Sequence, residues 1–110
     1  MELTGLVIKG EGLGYKTANL KIAKHFNLPD GVYFAKVIYQ NKEYPAIAIR
    51  GIRADLEVFL LDFDDDLYGQ TLTVEVAQKM RDLIFYEKPE DLLNQIQQDI
   101  KQAKKIWETK

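Results

Sequence analysis

The sequence contains no cysteine and a single histidine, His25. Disulfides, thiolate metal sites and cysteine nucleophiles are therefore excluded, as is any site that needs two imidazoles. An excess of positive charge is also missing. Lys and Arg number 15 against 17 Asp and Glu, for a formal net charge of −2, and the signs are interspersed. Nucleic-acid and membrane-surface binding both depend on clustered bases, so neither partner is expected. The densest basic group, Lys101, Lys104, Lys105 and Lys110, is interrupted by Asp99 and Glu108 and reads as a solvated helix face. No apolar run approaches the roughly 20 residues that cross a bilayer. No signal-peptide pattern precedes the first strand pattern, and a cytoplasmic location is expected. With three prolines and seven glycines, the composition does not suggest disorder.

What remains is 110 residues, 46% of them hydrophobic, enough for one compact domain over 1–110. Short β patterns follow one another. Leu3–Lys9 carries Leu6, Val7 and Ile8 before a glycine cluster. Thr17–Ile22 alternates, with Ala18, Leu20 and Ile22 on one side and Thr17, Asn19 and Lys21 on the other. Pro29-Asp30-Gly31 signals a turn before Val32–Tyr39, and Asn41-Lys42 fits a hairpin tip leading into Tyr44–Arg50. Leu56–Phe63 is apolar apart from Glu57 and Asp62. Thr71–Val76 alternates again after an aspartate-rich turn ending at Gly69. Six strand patterns with no helix between them predict a mostly β fold, an antiparallel barrel or sandwich. From Pro89 the period changes. Leu92, Leu93, Ile96, Ile100, Ala103 and Ile106 or Trp107 recur at helical spacing, which predicts one C-terminal α-helix of roughly 18 residues covering the barrel. Glu90 and Asp91 suit its first turn. The apolar stripe is read as core, without chemistry.

Three features could carry chemistry. Gly10, Gly12 and Gly14 stand at every second position. Such a loop can cradle phosphate on its backbone N–H groups, although an ordinary turn or bulge has the same composition, and the P-loop pattern is not met. Thr17 and Asn19 share a strand face and offer neutral oxygens, the ligands that Mg²⁺ prefers beside substrate phosphates. By residue type alone an ordinary surface strand is the better reading. Glu57 interrupts an apolar run, where a lone carboxylate is costly unless partnered. It faces either solvent or a pocket, and in a pocket it could take a proton from a substrate hydroxyl. Asp62, Asp64, Asp65 and Asp66 do not meet the EF-hand pattern and read as a solvated turn. Arg50, Arg53 and Arg81 read individually as surface or ion-pair residues.

Taken in order, these segments resemble the bacterial and eukaryotic riboflavin kinases. The family's Gly-aromatic-Pro-Thr-Ala-Asn-Leu is matched by Gly14-Tyr15-Lys16-Thr17-Ala18-Asn19-Leu20, with Lys16 in place of proline. Gly31-Val32-Tyr33, Glu57-Val58 through Asp62-Phe63, and Asp66-Leu67-Tyr68-Gly69 follow in family order. Arg81, Phe85, Glu90 or Asp91, Leu92, Gln95-Ile96 and Asp99 complete the match. The resemblance implies a mostly β fold, a six-stranded antiparallel, Greek-key-like barrel with one C-terminal α-helix. It also implies transfer of the ATP γ-phosphoryl to the 5′-hydroxyl of riboflavin, giving FMN. Glu57 would be the catalytic base, and Thr17 and Asn19 would hold Mg²⁺. Gly10, Gly12, Gly14, Tyr15, Lys16, Thr17, Asn19 and Arg81 would bind nucleotide or flavin. The flavin-ring contacts stay open among Met80, Arg81, Leu83 and Phe85. Arg50 stands where the family usually has asparagine, and the segments around Gly10–Gly14 and Gly51–Glu57 are shorter than is common. The expected partners are small molecules (ATP/ADP and riboflavin/FMN), and the chain is expected to be a monomer. The alternative is a non-catalytic flavin- or nucleotide-binding barrel.

Overall fold

The structure is a computed structural model that describes residues 1–9, 17–51, 54–63 and 66–109. It contains strands β1 (Glu2–Lys9), β2 (Thr17–Lys21), β3 (Gly31–Tyr39), β4 (Lys42–Arg50), β5 (Leu56–Leu60) and β6 (Thr71–Arg81), followed by helix α1 (Pro89–Glu108). The strands close into a barrel in the order β1-β2-β5-β4-β3-β6, every neighbouring pair antiparallel. Closure pairs both edges of every strand and leaves no open edge to aggregate. The β2–β3 connection crosses one end of the barrel, where Phe26 and Leu28 pack against the core.

Alternation sorts the side chains into two layers. Leu3, Val7, Ala18, Leu20, Ala35, Val37, Ala46, Ala48, Val58, Leu72 and Val74 fill the interior. Ala35 is paired with Ala46, Tyr33 with Ala48, and Ala18 with Val58. These small residues let six strands close around a lumen that side chains fill. Gly5 belongs to the same device. A Cβ there would stand 3.0 Å from Leu20 Cβ and 3.2 Å from the Lys21 carbonyl, so glycine sets how closely β1 approaches β2.

The outer face of β3, β4 and β5 is apolar as well. Val32, Phe34, Ile47, Phe59 and Leu61 form a second cluster with Ala103 of α1, flanked by Met80, Ile100, Ile106 and Trp107. The helix exists to cover this face. Pro89 occupies its first turn with Glu90 and Asp91, and Lys105 lies in its last turn, charges that suit the helix dipole.

The structure corrects the sequence reading in three places. The β3–β4 hairpin turns at Gln40-Asn41, not Asn41-Lys42. Both central residues have positive φ (51° and 64°) and Tyr39 pairs with Lys42, the conformation a two-residue hairpin prefers. Strand β5 stops at Leu60, and Asp62 turns the chain at φ 55°. Strand β6 runs five residues beyond Val76, to Arg81. Its register against β3 shifts twice, between Val76 and Gln78 and again between Lys79 and Arg81. Each bulge inserts a residue and resets the alternation, which is why the extension does not read as a strand.

Gly5→Val should lower stability by about 1–3 kcal/mol through overpacking, measured by urea denaturation of both proteins at one pH.

Candidate active site

The polar residues of β2 and β5 lie on the outer face. Ala18, Leu20, Leu56, Val58 and Leu60 point into the core, so Thr17, Asn19, Glu57 and Phe59 point away from it. The ladder pairs Thr17 with Phe59 and Asn19 with Glu57, and Ile49 of β4 pairs with Glu57 from the other side. Thr17, Asn19 and Glu57 are nevertheless 6%, 8% and 8% exposed, and the chain after β6 and the first half of α1 border the cleft that Thr17 and Glu57 line. The C-terminal half of α1 packs on the barrel. The N-terminal half stands off and leaves a cleft of about 510 Å³.

Thr17, Glu57 and Phe59 form the floor of this cleft, beside Val32 and Ile49. Arg81 stands in its wall. The segment Leu83–Tyr86, with Leu92, Ile96 and Asp99 of α1, closes the far side. One apolar cavity with a few converging polar groups is the usual form of a small-molecule site. The wall carries three consecutive large apolar side chains, Leu83, Ile84 and Phe85, that are 44%, 54% and 93% exposed. Exposed apolar surface of this kind marks a place where something apolar docks.

Two polar features stand out. The Oδ1 atom of Asn19 is buried without a hydrogen-bond partner. Such an orphan costs free energy in the empty protein, and here it lies two residues along the strand from the Thr17 hydroxyl. A hydroxyl and an amide carbonyl oxygen are suitable donors for a hard divalent cation, so these residues fit a Mg²⁺ ion. Among the described residues no cluster of three His, Asp or Glu side chains could hold a metal.

The second feature is a chain of hydrogen bonds. Arg81 donates from Nε to Asp99 Oδ1 at 2.9 Å and from a terminal nitrogen to Asp99 Oδ2 at 2.7 Å. Gln95 Nε2 donates to Asp99 Oδ1 at 3.0 Å, and the Tyr86 hydroxyl donates to Gln95 Oε1 at 3.0 Å. Arg81 also donates to the Asp82 carbonyl at 3.0 Å. The bonds to Asp99 push the arginine pKa above its ordinary value, and the guanidinium stays charged.

Most of the predicted residues whose structure is described converge. Thr17, Glu57 and Arg81 line one cleft and Asn19 lies on the adjoining rung. The choice left open for Glu57 resolves toward the pocket. Of the ring-contact candidates, Arg81, Leu83 and Phe85 line the cleft, whereas Met80 packs in the outer apolar cluster. Gly10, Gly12, Gly14, Tyr15, Lys16, Arg53, Asp64 and Asp65 lie outside the described residues. Arg50 stacks over the Phe26 ring at 4.5 Å and donates to the Asp55 carbonyl at 2.6 Å. Asp62 faces Lys104 at 3.4 Å, and Asp66 accepts a bond from the Tyr68 backbone. The helix stripe, expected to be core alone, supplies Leu92, Ile96 and Asp99 to the site. Sequence reasoning named Asp99 only as part of the family match and gave it no place in the site, although a carboxylate between Ile96 and Ala103 on an apolar face was a signal.

The profile of the riboflavin kinase (Flavokinase) family matches residues 1–107. The chain belongs to the riboflavin kinase family. It is 38% identical over 112 residues to the bifunctional riboflavin kinase/FMN adenylyltransferase of Buchnera aphidicola subsp. Acyrthosiphon pisum, covering 89% of this chain and 36% of that protein. The chain thus spans about a third of the length of such curated relatives. The crystal structure of riboflavin kinase from Trypanosoma brucei shares its fold, with a TM-score of 0.68 and 23% identity over 97% of this chain and 79% of that one. A Streptococcus pneumoniae crystal structure described as a macrolide-efflux protein superposes with a TM-score of 0.84 and 30% identity, over 94% of this chain and 38% of that one. No helix among the described residues of this riboflavin kinase family member is long and apolar enough to cross a membrane.

Replacing the orphaned Asn19 by leucine should leave stability unchanged or raise it by up to about 1 kcal/mol. Asp99→Ala should cost about 3 kcal/mol, the low end for breaking a buried pair because Arg81 is a fifth exposed. Chemical denaturation of both variants in metal-free buffer checks the contrast.

Proposed function

We propose that this chain phosphorylates riboflavin, transferring the γ-phosphoryl group of ATP to the 5′-hydroxyl to give FMN and ADP. The observation that carries the reading is Glu57 on the floor of an apolar cleft, paired across the ladder with Asn19, in a chain of the riboflavin kinase family. Phosphoryl transfer asks little covalent chemistry of a protein. It requires in-line placement of the acceptor hydroxyl, a carboxylate to take its proton, and compensation of phosphate charge. Glu57 is the carboxylate on the cleft floor and takes the 5′-hydroxyl proton as the oxygen attacks. The apolar wall formed by Leu83, Ile84 and Phe85 suits a planar aromatic ring system.

Thr17 and Asn19 would hold Mg²⁺ through the hydroxyl and the Oδ1 atom. The bound ion would supply positive charge to the nucleotide phosphates. The Gly10–Gly14 segment, with Tyr15 and Lys16, is the proposed phosphate cradle, and it directly precedes β2 in the sequence. The protein is proposed to act as a monomer on these small molecules in the cytoplasm.

Purified protein incubated with ATP, Mg²⁺ and riboflavin should form FMN, detected by chromatography, and no FMN over hours overturns the reading. Glu57→Gln should lower kcat at least 100-fold, the usual worth of a positioned base. In differential scanning fluorimetry, ADP with Mg²⁺ should raise the melting temperature of wild type, and Asn19→Leu should lose the Mg²⁺-dependent part of that rise.

A further inference from the structure

The segment between β6 and α1, residues 82–88, is a strap that carries the apolar wall of the cleft. Three large apolar side chains in succession are 44%, 54% and 93% exposed there, so packing holds the strap only in part. Side chains fasten it at two points. Near its start, Arg81 donates to the Asp82 carbonyl at 3.0 Å, and Lys79 pairs with Asp82 at 2.6 Å. Near its end, the Tyr86 hydroxyl binds Gln95 of α1 at 3.0 Å. The start through Arg81 and the end through Gln95 meet on one carboxylate, Asp99, which is 4% exposed and accepts from both Arg81 and Gln95.

We propose that Asp99 is a positioning residue for the flavin acceptor, fixing the Arg81 guanidinium in the cleft wall and, through Gln95 and Tyr86, the strap that carries Leu83, Ile84 and Phe85. The arrangement is specific to a carboxylate. Asp99 Oδ1 accepts two bonds, from Arg81 Nε and Gln95 Nε2, while Oδ2 accepts from the terminal nitrogen of Arg81. Asparagine could keep one oxygen acceptor, but its amide nitrogen would set a donor against a guanidinium N–H. The Gln95 amide is oriented by this demand. With its nitrogen toward Asp99, its oxygen must face Tyr86, and the tyrosine hydroxyl is the donor that oxygen needs. Asp99 stands across the cleft from Thr17 and Glu57 on a different element, so its influence falls on acceptor placement and not on nucleotide binding.

This inference rests on the flavin reading of the cleft, and the test separates the two. Steady-state kinetics with ATP and riboflavin are measured for wild type, Asp99→Asn, Gln95→Ala and Tyr86→Phe, alongside riboflavin affinity from quenching of flavin fluorescence without ATP. Asp99→Asn should raise the KM and Kd for riboflavin at least tenfold, with kcat reduced less than threefold and the KM for ATP changed less than twofold. Gln95→Ala and Tyr86→Phe leave the Arg81–Asp99 pair intact and should raise the riboflavin constants two- to fivefold, and they carry the test if Asp99→Asn does not fold. Equal changes in both KM values, a fall confined to kcat, or lowered melting temperatures with unchanged riboflavin constants would overturn the positioning role. If wild type binds riboflavin without forming FMN, the kinase reading fails, and the same affinity series still decides the role of Asp99.

Discussion

The constraint on which the rest of this structure depends is that its barrel is apolar on both faces across β3, β4 and β5. Strand closure satisfies the backbone, and the small residues at positions 18, 35, 46 and 48 let the lumen fill. Closure does nothing for Val32, Phe34, Ile47 and Phe59 on the outside. Helix α1 covers them, and it packs tightly only along its C-terminal half, around Ala103. The uncovered remainder of the same face is the cleft. The site is thus a consequence of incomplete coverage, placed where β2 and β5 contribute polar residues to a surface that is apolar elsewhere.

That origin explains what the sequence disclosed and what it withheld. Strand and helix periods are local, so all six strands and the helix were legible, as was the turn at Gly69, where φ is 79°. Residue types alone could not tell whether Thr17, Asn19 and Glu57 met solvent or a pocket. For Thr17 and Glu57 the answer depends on a cleft that residues 83–99 border, far along the chain. The likeness to riboflavin kinases supplied that missing tertiary information by grouping these residues in order. The extension of β6 stayed hidden because two bulges break the alternation on which strand reading relies. The role of Asp99 stayed hidden for a different reason. A stripe judged by its apolar members treats an acidic residue as an interruption, when burial at 4% exposure makes it the most demanding residue on that face.

Polar burial in this molecule takes two forms with opposite consequences. Asp99 is paired and satisfied, and holds barrel, strap and helix in one arrangement. Asn19 Oδ1 is buried and unsatisfied, so it detracts from the stability of the ligand-free fold. Functional sites are where a fold tolerates such a cost. An oxygen with no internal donor gains most from an external partner of positive charge, which gives the proposed cation a physical motive beyond the choice of ligand types.

The same logic bears on the strap. A segment carrying Leu83, Ile84 and Phe85 toward solvent has a strong tendency to collapse onto the nearest apolar surface, here the cleft it borders. Fastening by packing would require burying those side chains and would close the site against its ligand. Directional bonds from Arg81 and Tyr86 avoid the conflict, because they fix the strap at its ends and leave its apolar face available. A buried ion pair is a weak source of stability and a better source of geometric definition. At Asp99 the definition is what the cleft requires, since an apolar residue there could cover the barrel but could not hold the strap open.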